Sequence, residues 1–549
     1  MIGRLVLILL LWSCRPIEAQ EIAIPRQVLE SIRHLAIQHN GRLKPLDSFA
    51  REVITQVTGS PSLQGQDPVQ TLLAIIIQPG RWQEEPLIVV PFVPLRDQLG
   101  LDRKATHVSY NDLVSARKLM RMLPPIVGKQ QRDEKLSVLE NEVMDVYDRF
   151  VVLSSLFEQK LHMVPPSPSL SDTAHFHGSV WLSILQPTGY SQQEQKGFQD
   201  AWEAFVKAVG EEQPQGIDRS ATQLVQLLRT ANATEYPAQW RLQLEVAYNQ
   251  LGPFRIARFV YLAAFLWLVF GLGKGRGTAS LAGMLFLVVG FLVHGMGILM
   301  RVIVGGRPPV SNFYETMLWL PFVGVGLSLI FERIYRVGTF GVASSLLAAI
   351  VLLLADHLPL DSSISPVVAV LRSNLWLTIH VLTIVASYGV LALATVLAHL
   401  YGVVVLLHRG EHPALEPIGK FVYHTIQIGV VLLASGIMLG AVWANASWGR
   451  YWGWDPKETW ALITLLWFLA VLHGRFAGWL KDLGVALSTM GGFFLLLMTY
   501  YGVSFYLVGL HSYAGGHAKP LPTLLVSYLI AECVFIMAVG WVALSRQKM

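Results

Sequence analysis

The chain has 549 residues, of which 53% are hydrophobic and 14% charged, with a net charge of +5. That balance excludes an ordinary soluble globular protein and suits a membrane chain, with the acidic and Gln-rich residues gathered before about residue 255. The small positive charge gives no case for a nucleic-acid partner, because it is accounted for by residues flanking the apolar runs.

At the N-terminus, Arg4 precedes an apolar core, Leu5 to Trp12, and Ala19 stands before Gln20. Residues 1–19 therefore read as a signal peptide cleaved after Ala19, or as a retained signal-anchor. Leu11-Trp12-Ser13-Cys14 loosely resembles a lipoprotein signal. Residues 20–255 follow as an extracytoplasmic (periplasmic) domain that reads as mostly helical. Helix-like apolar spacing covers 194–209 and 220–251, and prolines at 165, 166, 168 and 214 punctuate it. Leu87 to Val93 suits a short strand. The run Asn40-Gly-Arg42-Leu-Lys44-Pro45-Leu-Asp47-Ser48 reads as a dense turn carrying two cations, either structural or a docking surface. His175 and His177 alternate as metal ligands on a strand would, but no further ligand accompanies them.

The fold class expected is an all-α polytopic membrane protein. About nine apolar runs approach the ~20 residues that a helix needs to cross a bilayer: 256–272, 279–304, 313–331, 338–355, 375–407, 424–442, 459–477, 484–508 and 524–544. With the preceding domain outside, the inner loops hold Lys274 and Arg276, Arg333 to Arg336, His408 to Lys420, Arg475 to Lys481, and Arg546 with Lys548. That is the positive-inside arrangement. It leaves 443–458 on the outer face.

This outer segment is the densest in chemistry. Trp448, Tyr451, Trp452, Trp454 and Trp460 interleave with Arg450, Asp455, Lys457 and Glu458. An aromatic belt alone needs no glycines between its rings. Flat faces with fixed cations suit a large planar ligand bearing carboxylates. Asp455-Pro456-Lys457-Glu458 has an acidic N-cap, proline at the first helical position and glutamate at the third, so it marks a helix start. Ionisable residues within spans are costly and are functional candidates. His380 and His511 fall on the outer face, level with the cluster, where two imidazoles beside an aromatic platform could serve as axial ligands to haem iron. His473 lies seventeen residues past Pro456, roughly 25 Å at the rise of an α-helix, so it belongs to a second, deeper site. His294 is the partner this chain offers there. His399 is deeper on the same run as His380, where a lone membrane histidine can also serve only to hydrogen-bond a neighbouring helix. The two cysteines, Cys14 and Cys533, supply neither a disulfide nor a thiolate zinc site, and there is no C-x-x-C-H for covalent haem on this chain.

Trp448-Gly-x-Tyr-Trp452-Gly-Trp454-Asp455-Pro-Lys-Glu-Thr-Trp460, with Trp376-x-x-x-His380, Ser387-Tyr388 and Gly-Leu-His511-Ser-Tyr, resembles the CcsA/ResC-type cytochrome c biogenesis proteins of System II and their WWD domain. Pro308-Pro-Val-Ser311-Asn312-Phe-Tyr314-Glu315 is similar to a further motif of that family. The resemblance covers roughly 256–549, with the WWD segment at 443–460. It implies that haem b is carried to the outer face of the bacterial inner (cytoplasmic) membrane and joined there to the C-x-x-C-H thiols of apocytochrome c. It implies His380 and His511 as the external iron ligands and His473 as a membrane ligand. The second membrane ligand is His294 or comes from a CcsB-like subunit, and a thiol-reducing system is an expected partner. Competing readings are a haem transporter or chaperone without synthase activity, and a membrane b-type electron carrier.

Overall fold

The computed structural model describes residues 24–132, 134–168, 180–272, 277–358, 360–367, 373–409, 412–511 and 522–546. The signal segment with Cys14, the His175/His177 pair, and Lys274, Arg276 and Lys548 lie outside these.

The N-terminal part is helical around one apolar core, which includes Ile32, Val53, Leu72, Val143, Phe205 and Leu224. Its β-structure among the described residues is three two-stranded ladders. One of these pairs Ile88–Val89 with His107–Val108, within the stretch expected to be extended. The helix expected over 220–251 is instead two, Pro214–Ala231 and Gln239–Leu251. Asn232 and Pro237 explain the break. The Asn232 amide donates to Pro166 O at 3.0 Å, and a proline disfavours helical backbone at the residue before it.

The run at 40–48 forms a hairpin. Strand β1 (Ala36–His39) pairs antiparallel with β2 (Arg42–Pro45), joined by Asn40 and Gly41, both at positive φ, as an Asn-Gly two-residue turn requires. Both cations of the run are engaged within the fold. Arg42 donates through both terminal nitrogens to Glu245 at 2.7 and 2.6 Å, and Ser48 Oγ donates to the same carboxylate at 2.6 Å. Lys44 pairs with Glu52. The buried Asp47 holds Arg33 at 3.0 Å, Arg51 at 2.9 Å and the Asn249 amide at 3.0 Å. Glu245 and Asn249 stand on Gln239–Leu251, which leads through Gly252 into Pro253–Leu272. The hairpin therefore clamps the domain to the first span.

Nine helices among the described residues are long and apolar enough to cross a membrane, and the chain is an all-α polytopic membrane protein. Numbered in order, they are span 1 (Gln239–Leu272), span 2 (Thr278–Gly305), span 3 (Phe313–Tyr335), span 4 (Thr339–His357), span 5 (Thr378–His408), span 6 (Leu415–Trp448), span 7 (Pro456–Phe476), span 8 (Asp482–Tyr506) and span 9 (Thr523–Ser545). Spans 1 to 4 share a core around Tyr261, Leu287, Val325 and Ala348. Spans 5 to 8 share a larger one around Leu391, Leu433, Phe468 and Met490, with Val539 of span 9. The halves meet where span 3 lies on span 5. A Cβ at Gly389 would fall 2.3 Å from Leu320 O, so only glycine permits that backbone approach.

Two wide π-type turns interrupt the regular helices, at Leu377–Val381 and Met498–Gly502. Single π-turns of this kind cluster at functional sites. Both lie at the end of the bundle that carries residues 448–455, here called the cluster end.

Candidate functional site

A cavity of about 550 Å³ opens at the cluster end, within the size range of small-molecule and cofactor sites. Its walls include His380, Tyr388, Trp443, Tyr451, Trp452, Lys457, Tyr500 and His511, with Arg307 and Phe313 on another side. It draws on spans 3, 5, 6, 7 and 8 and on the loops between them.

The local chemistry of the tryptophan segment sets one wall. Span 6 ends at Trp448, and Gly449 at φ 70° stops it, since left-handed backbone favours glycine. Trp454 also takes a positive φ, 57°, which is uncommon for so bulky a residue. The turn this makes aims the N–H groups of Gly453 and Asp455 at one carboxylate oxygen of Glu458, at 2.8 and 3.2 Å. Asp455 in turn caps span 7 by accepting from Lys457 N at 3.0 Å. The helix start read from Asp455-Pro-Lys-Glu is therefore present, as a reciprocal capping box.

Asp455 reaches beyond the cap. It accepts from Leu510 N at 2.6 Å and from His511 Nδ1 at 2.8 Å, so the cap also fixes the imidazole 56 residues away. Burial works against the Asp455 carboxylate. Even so, the hydrogen bond from His511, with the N–H groups of Lys457 and Leu510, holds its carboxyl below the usual range. A Cβ at Gly509 would lie 2.3 Å from Asp455 Oδ1, so glycine is needed for this contact. With Nδ1 donating to a carboxylate, coordination by His511 falls to Nε2, the arrangement common among metal-ligating histidines.

His380 stands in the first π-turn. Its Nδ1 is 2.9 Å from Gly436 O. A carbonyl only accepts, so Nδ1 carries the proton and Nε2 carries the lone pair. Gly440 lies under the ring, where a Cβ would be 2.6 Å from Cε1. Trp443 meets the ring edge-on at 5.5 Å and stacks on Trp376 at 6.4 Å. Trp448 meets the His511 ring edge-on at 5.4 Å. Lys457 Nζ donates to Ser504 Oγ at 2.9 Å and to Tyr500 O, at the second π-turn, at 3.3 Å. Two imidazoles fixed through Nδ1, aromatic walls and a cation make a donor set suited to a planar metal-bearing ligand with acidic substituents.

Residues 310–511 match the Cytochrome C assembly protein family. Over 512 residues the chain is 33% identical to protein NrfI of Wolinella succinogenes, an alignment covering 88% of this chain and 54% of that protein. It is 36% identical over 242 residues to the cytochrome c biogenesis protein CcsA of Guillardia theta (39% of this chain, 79% of the relative). With CcsA of Pyropia yezoensis it shares 31% identity over 317 residues (50% and 99%). The chain belongs to the CcsA family of cytochrome c biogenesis proteins. It spans about half the length of NrfI and nearly all of the Pyropia CcsA.

In this CcsA-family chain the expected site residues divide. His380, His511, Tyr451, Trp452 and Lys457 meet at the cavity. Trp454 does not; it packs edge-on against Trp452 at 5.8 Å and is 70% exposed. Nor does Arg450, which lies over Gly453, so close that a Cβ there would overlap its guanidinium. Trp448 and Asp455 act through His511, and Trp460 supplies a carbonyl that accepts from Thr464 and Thr499 at 2.8 and 2.9 Å.

The deeper histidines are not brought together. His294 is fully buried among Phe254, Tyr261 and Phe322, with Nδ1 3.3 Å from the Tyr261 hydroxyl. It belongs to the packing of spans 1 to 4. His473 is exposed on span 7, its Nδ1 bonded to Leu469 O at 2.7 Å. His399 pairs with Glu532 of span 9 at 2.8 Å. The sequence reading missed Glu532, although a lone carboxylate in an apolar run is itself a signal. It also missed Trp443, Tyr500 and Arg307 as cavity residues. Tyr500 depends on a π-turn, Arg307 on a loop path, and Trp443 on span 6 running on to Trp448.

Proposed function

We propose that this chain holds haem b as its substrate between His380 and His511, on the extracytoplasmic side of the bacterial inner membrane, and supports its thioether attachment to C-x-x-C-H apocytochrome c. In this reading it is a holocytochrome c synthase (haem lyase), working with a CcsB-like membrane subunit and a thiol-reducing system. The observation that carries the reading is the convergence of His380 and His511, each with Nδ1 held by a hydrogen bond, on one aromatic-walled cavity in a CcsA-family chain.

The reaction adds each cysteine S–H across a vinyl group. A C–S bond forms, the proton passes to the other vinyl carbon, and there is no net redox change. The thiols belong to the apocytochrome, so the chain needs no nucleophile of its own. Its contribution is proximity and orientation. His380 and His511 hold the iron until the substrate histidine displaces one of them. Trp443 and Trp452 present ring faces or edges to the macrocycle, and Lys457 faces a propionate. His473, exposed on span 7, takes its partner ligand from the CcsB-like subunit, because His294 is enclosed in another part of the bundle.

The test is to purify the chain, H380A and H511A, each expressed with and without a CcsB-like subunit and an apocytochrome c. Haem content, Soret spectrum and covalent haem on the apocytochrome are then measured. Both variants should lose haem from this cavity and lose covalent product. Unchanged content and yield in both would refute the ligand roles. Haem accumulation without covalent product in the wild-type complex would mark a transporter or chaperone instead.

A further inference from the structure

Beside the cavity, two arginines share one carboxylate. Arg301 Nε donates to Glu315 Oε1 at 2.9 Å, and Arg307 Nη1 reaches both oxygens at 3.2 and 2.9 Å. The Arg301 and Glu315 side chains are each 1% exposed and that of Arg307 is 9% exposed. The remaining partners are neutral. Arg301 donates to the Tyr248 hydroxyl and to the carbonyls of Ser362 and Ser363, at 3.1, 2.9 and 2.8 Å. Arg307 donates to Ser365 O at 2.7 Å. Ser311 donates to Glu315 through N and Oγ, at 2.8 and 2.7 Å. Two guanidiniums against one carboxylate leave a surplus of one positive charge, and Arg307 carries it to the cavity wall.

Lys457 is a second cation on the same cavity. Its two hydrogen-bond acceptors, Ser504 Oγ and Tyr500 O, are neutral. An ammonium has three N–H groups to place. Asp455 attracts Lys457 through space, and two other carboxylates line the cavity. Glu458 is taken by the N–H groups of Gly453 and Asp455, and Asp361 by Ser363 N at 2.9 Å. Among the described residues neither carboxylate makes an ion pair with Arg307 or Lys457 within 4.0 Å. Arg307, which shares Glu315 with Arg301, and Lys457, with no carboxylate within 4.0 Å among the described residues, therefore each keep donor capacity on the cavity for an anionic group of its ligand.

We propose that Arg307, backed by Arg301 and Glu315, and Lys457 are the two carboxylate sites of the cavity, each receiving one propionate of a porphyrin. The proposal rests on the haem reading above and deepens it. It assigns Arg307 the part that the sequence suggested for Arg450. A guanidinium held by its neighbours is well suited to a carboxylate, and the placement would orient the macrocycle with its propionate edge toward spans 3 and 7.

The experiment titrates the detergent-purified, haem-depleted full-length chain with iron protoporphyrin IX and with its dimethyl ester, which keeps iron and vinyl groups but lacks both carboxylates. Affinity is read from the Soret band. Wild type should bind the free acid about tenfold or more tighter than the ester, the scale of charge-assisted hydrogen bonds. R307Q and K457M should each weaken the free acid and leave the ester unchanged, and the double variant should bring the ratio near one. R307K should restore part of the preference. A distorted cavity would weaken both ligands equally, which would overturn the proposal for that residue. A wild-type ratio near one would overturn it without recourse to any variant, including the case in which these cations receive carboxylates of the apocytochrome instead. If no titration yields a histidine-ligated spectrum that depends on His380 and His511, the haem reading itself fails.

Discussion

Replacing Asp455 by asparagine tests the link between the helix cap and the proposed iron ligand. Asp455 Oδ2 accepts from Lys457 N at 3.0 Å and His511 Nδ1 at 2.8 Å, and Oδ1 accepts from Leu510 N at 2.6 Å. Asparagine fits the space and is itself a good N-cap, but it has only one oxygen. If that oxygen keeps the place of Oδ2, its NH2 group confronts the Leu510 N–H. If it is flipped, the NH2 group confronts Lys457 N–H and His511 Nδ1. To accept from the amide, the imidazole would have to carry its proton on Nε2, the nitrogen needed for iron. One unsatisfied donor costs about 1–3 kcal/mol, so D455N should weaken haem binding at this cavity by roughly 5- to 150-fold. Loss of an orienting partner in metal sites falls in the same range, about 10- to 100-fold. D455A should weaken it further, because the cap is also lost, at about 1 kcal/mol. The assay is haem titration of the purified chain, with the Soret and visible bands reporting whether one or two histidines are bound. Unchanged affinity and a fully two-histidine spectrum in D455N would sink the argument that Asp455 sets the tautomer of His511.

Gly440→Ala should displace the His380 ring, since its Cβ would fall 2.6 Å from Cε1; overpacking of about 1–3 kcal/mol should appear as loss of the two-histidine spectrum. Gly491→Ala is the control, its nearest neighbour lying 3.5 Å away at Trp467, and equal effects would refute the steric reading. The depressed carboxyl of Asp455 contributes stability that is complete above the ordinary aspartate value of about 4 and is lost as pH falls through the lower folded value. The difference in apparent melting temperature between wild type and D455N should therefore shrink as pH falls below about 4; a difference that persists undiminished in strong acid would contradict it. Glu245→Gln leaves Arg42 without its counter-charge, at about 3 kcal/mol for a buried pair broken on one side. Limited proteolysis should then cut the N-terminal domain faster, and an unaltered cleavage rate would show that the clamp on span 1 is dispensable.

What the sequence revealed was mostly local or periodic. The start of span 7 was legible because Asp455, Pro456 and Glu458 form a box within four positions. Nine apolar runs were legible because helices that cross a bilayer must be long, although span 6 runs to Trp448 rather than ending near 442. His380 and His511 were assigned to one level from loop positions alone, and the structure brings both to one cavity. What stayed hidden depends on partners far along the chain. Whether Arg42 and Lys44 made a structural turn or a docking surface stayed open in the sequence until Glu245, 203 residues later, and Glu52 took them up. Trp454 looked equivalent to Trp452, but its left-handed backbone turns it out of the cavity. The Arg307 surplus required counting two arginines against one carboxylate across a span and two loops.

The two π-turns carry a consequence for how such a cavity is gained or lost. A π-turn is a helix holding one residue more than its α-helical path needs. Deleting a single residue within 374–381 would let the helix close into a regular α-helix with the parts on either side still in phase, so that only the residues of the turn itself, His380 among them, would be re-aimed. The same holds at 498–502. Neither deletion would shorten a span below bilayer length or alter its hydropathy, yet the first would swing His380 away from the cavity and the second would re-aim Tyr500, whose carbonyl accepts from Lys457. A one-codon length change among related chains would therefore signal a lost ligand site even where both histidines are kept.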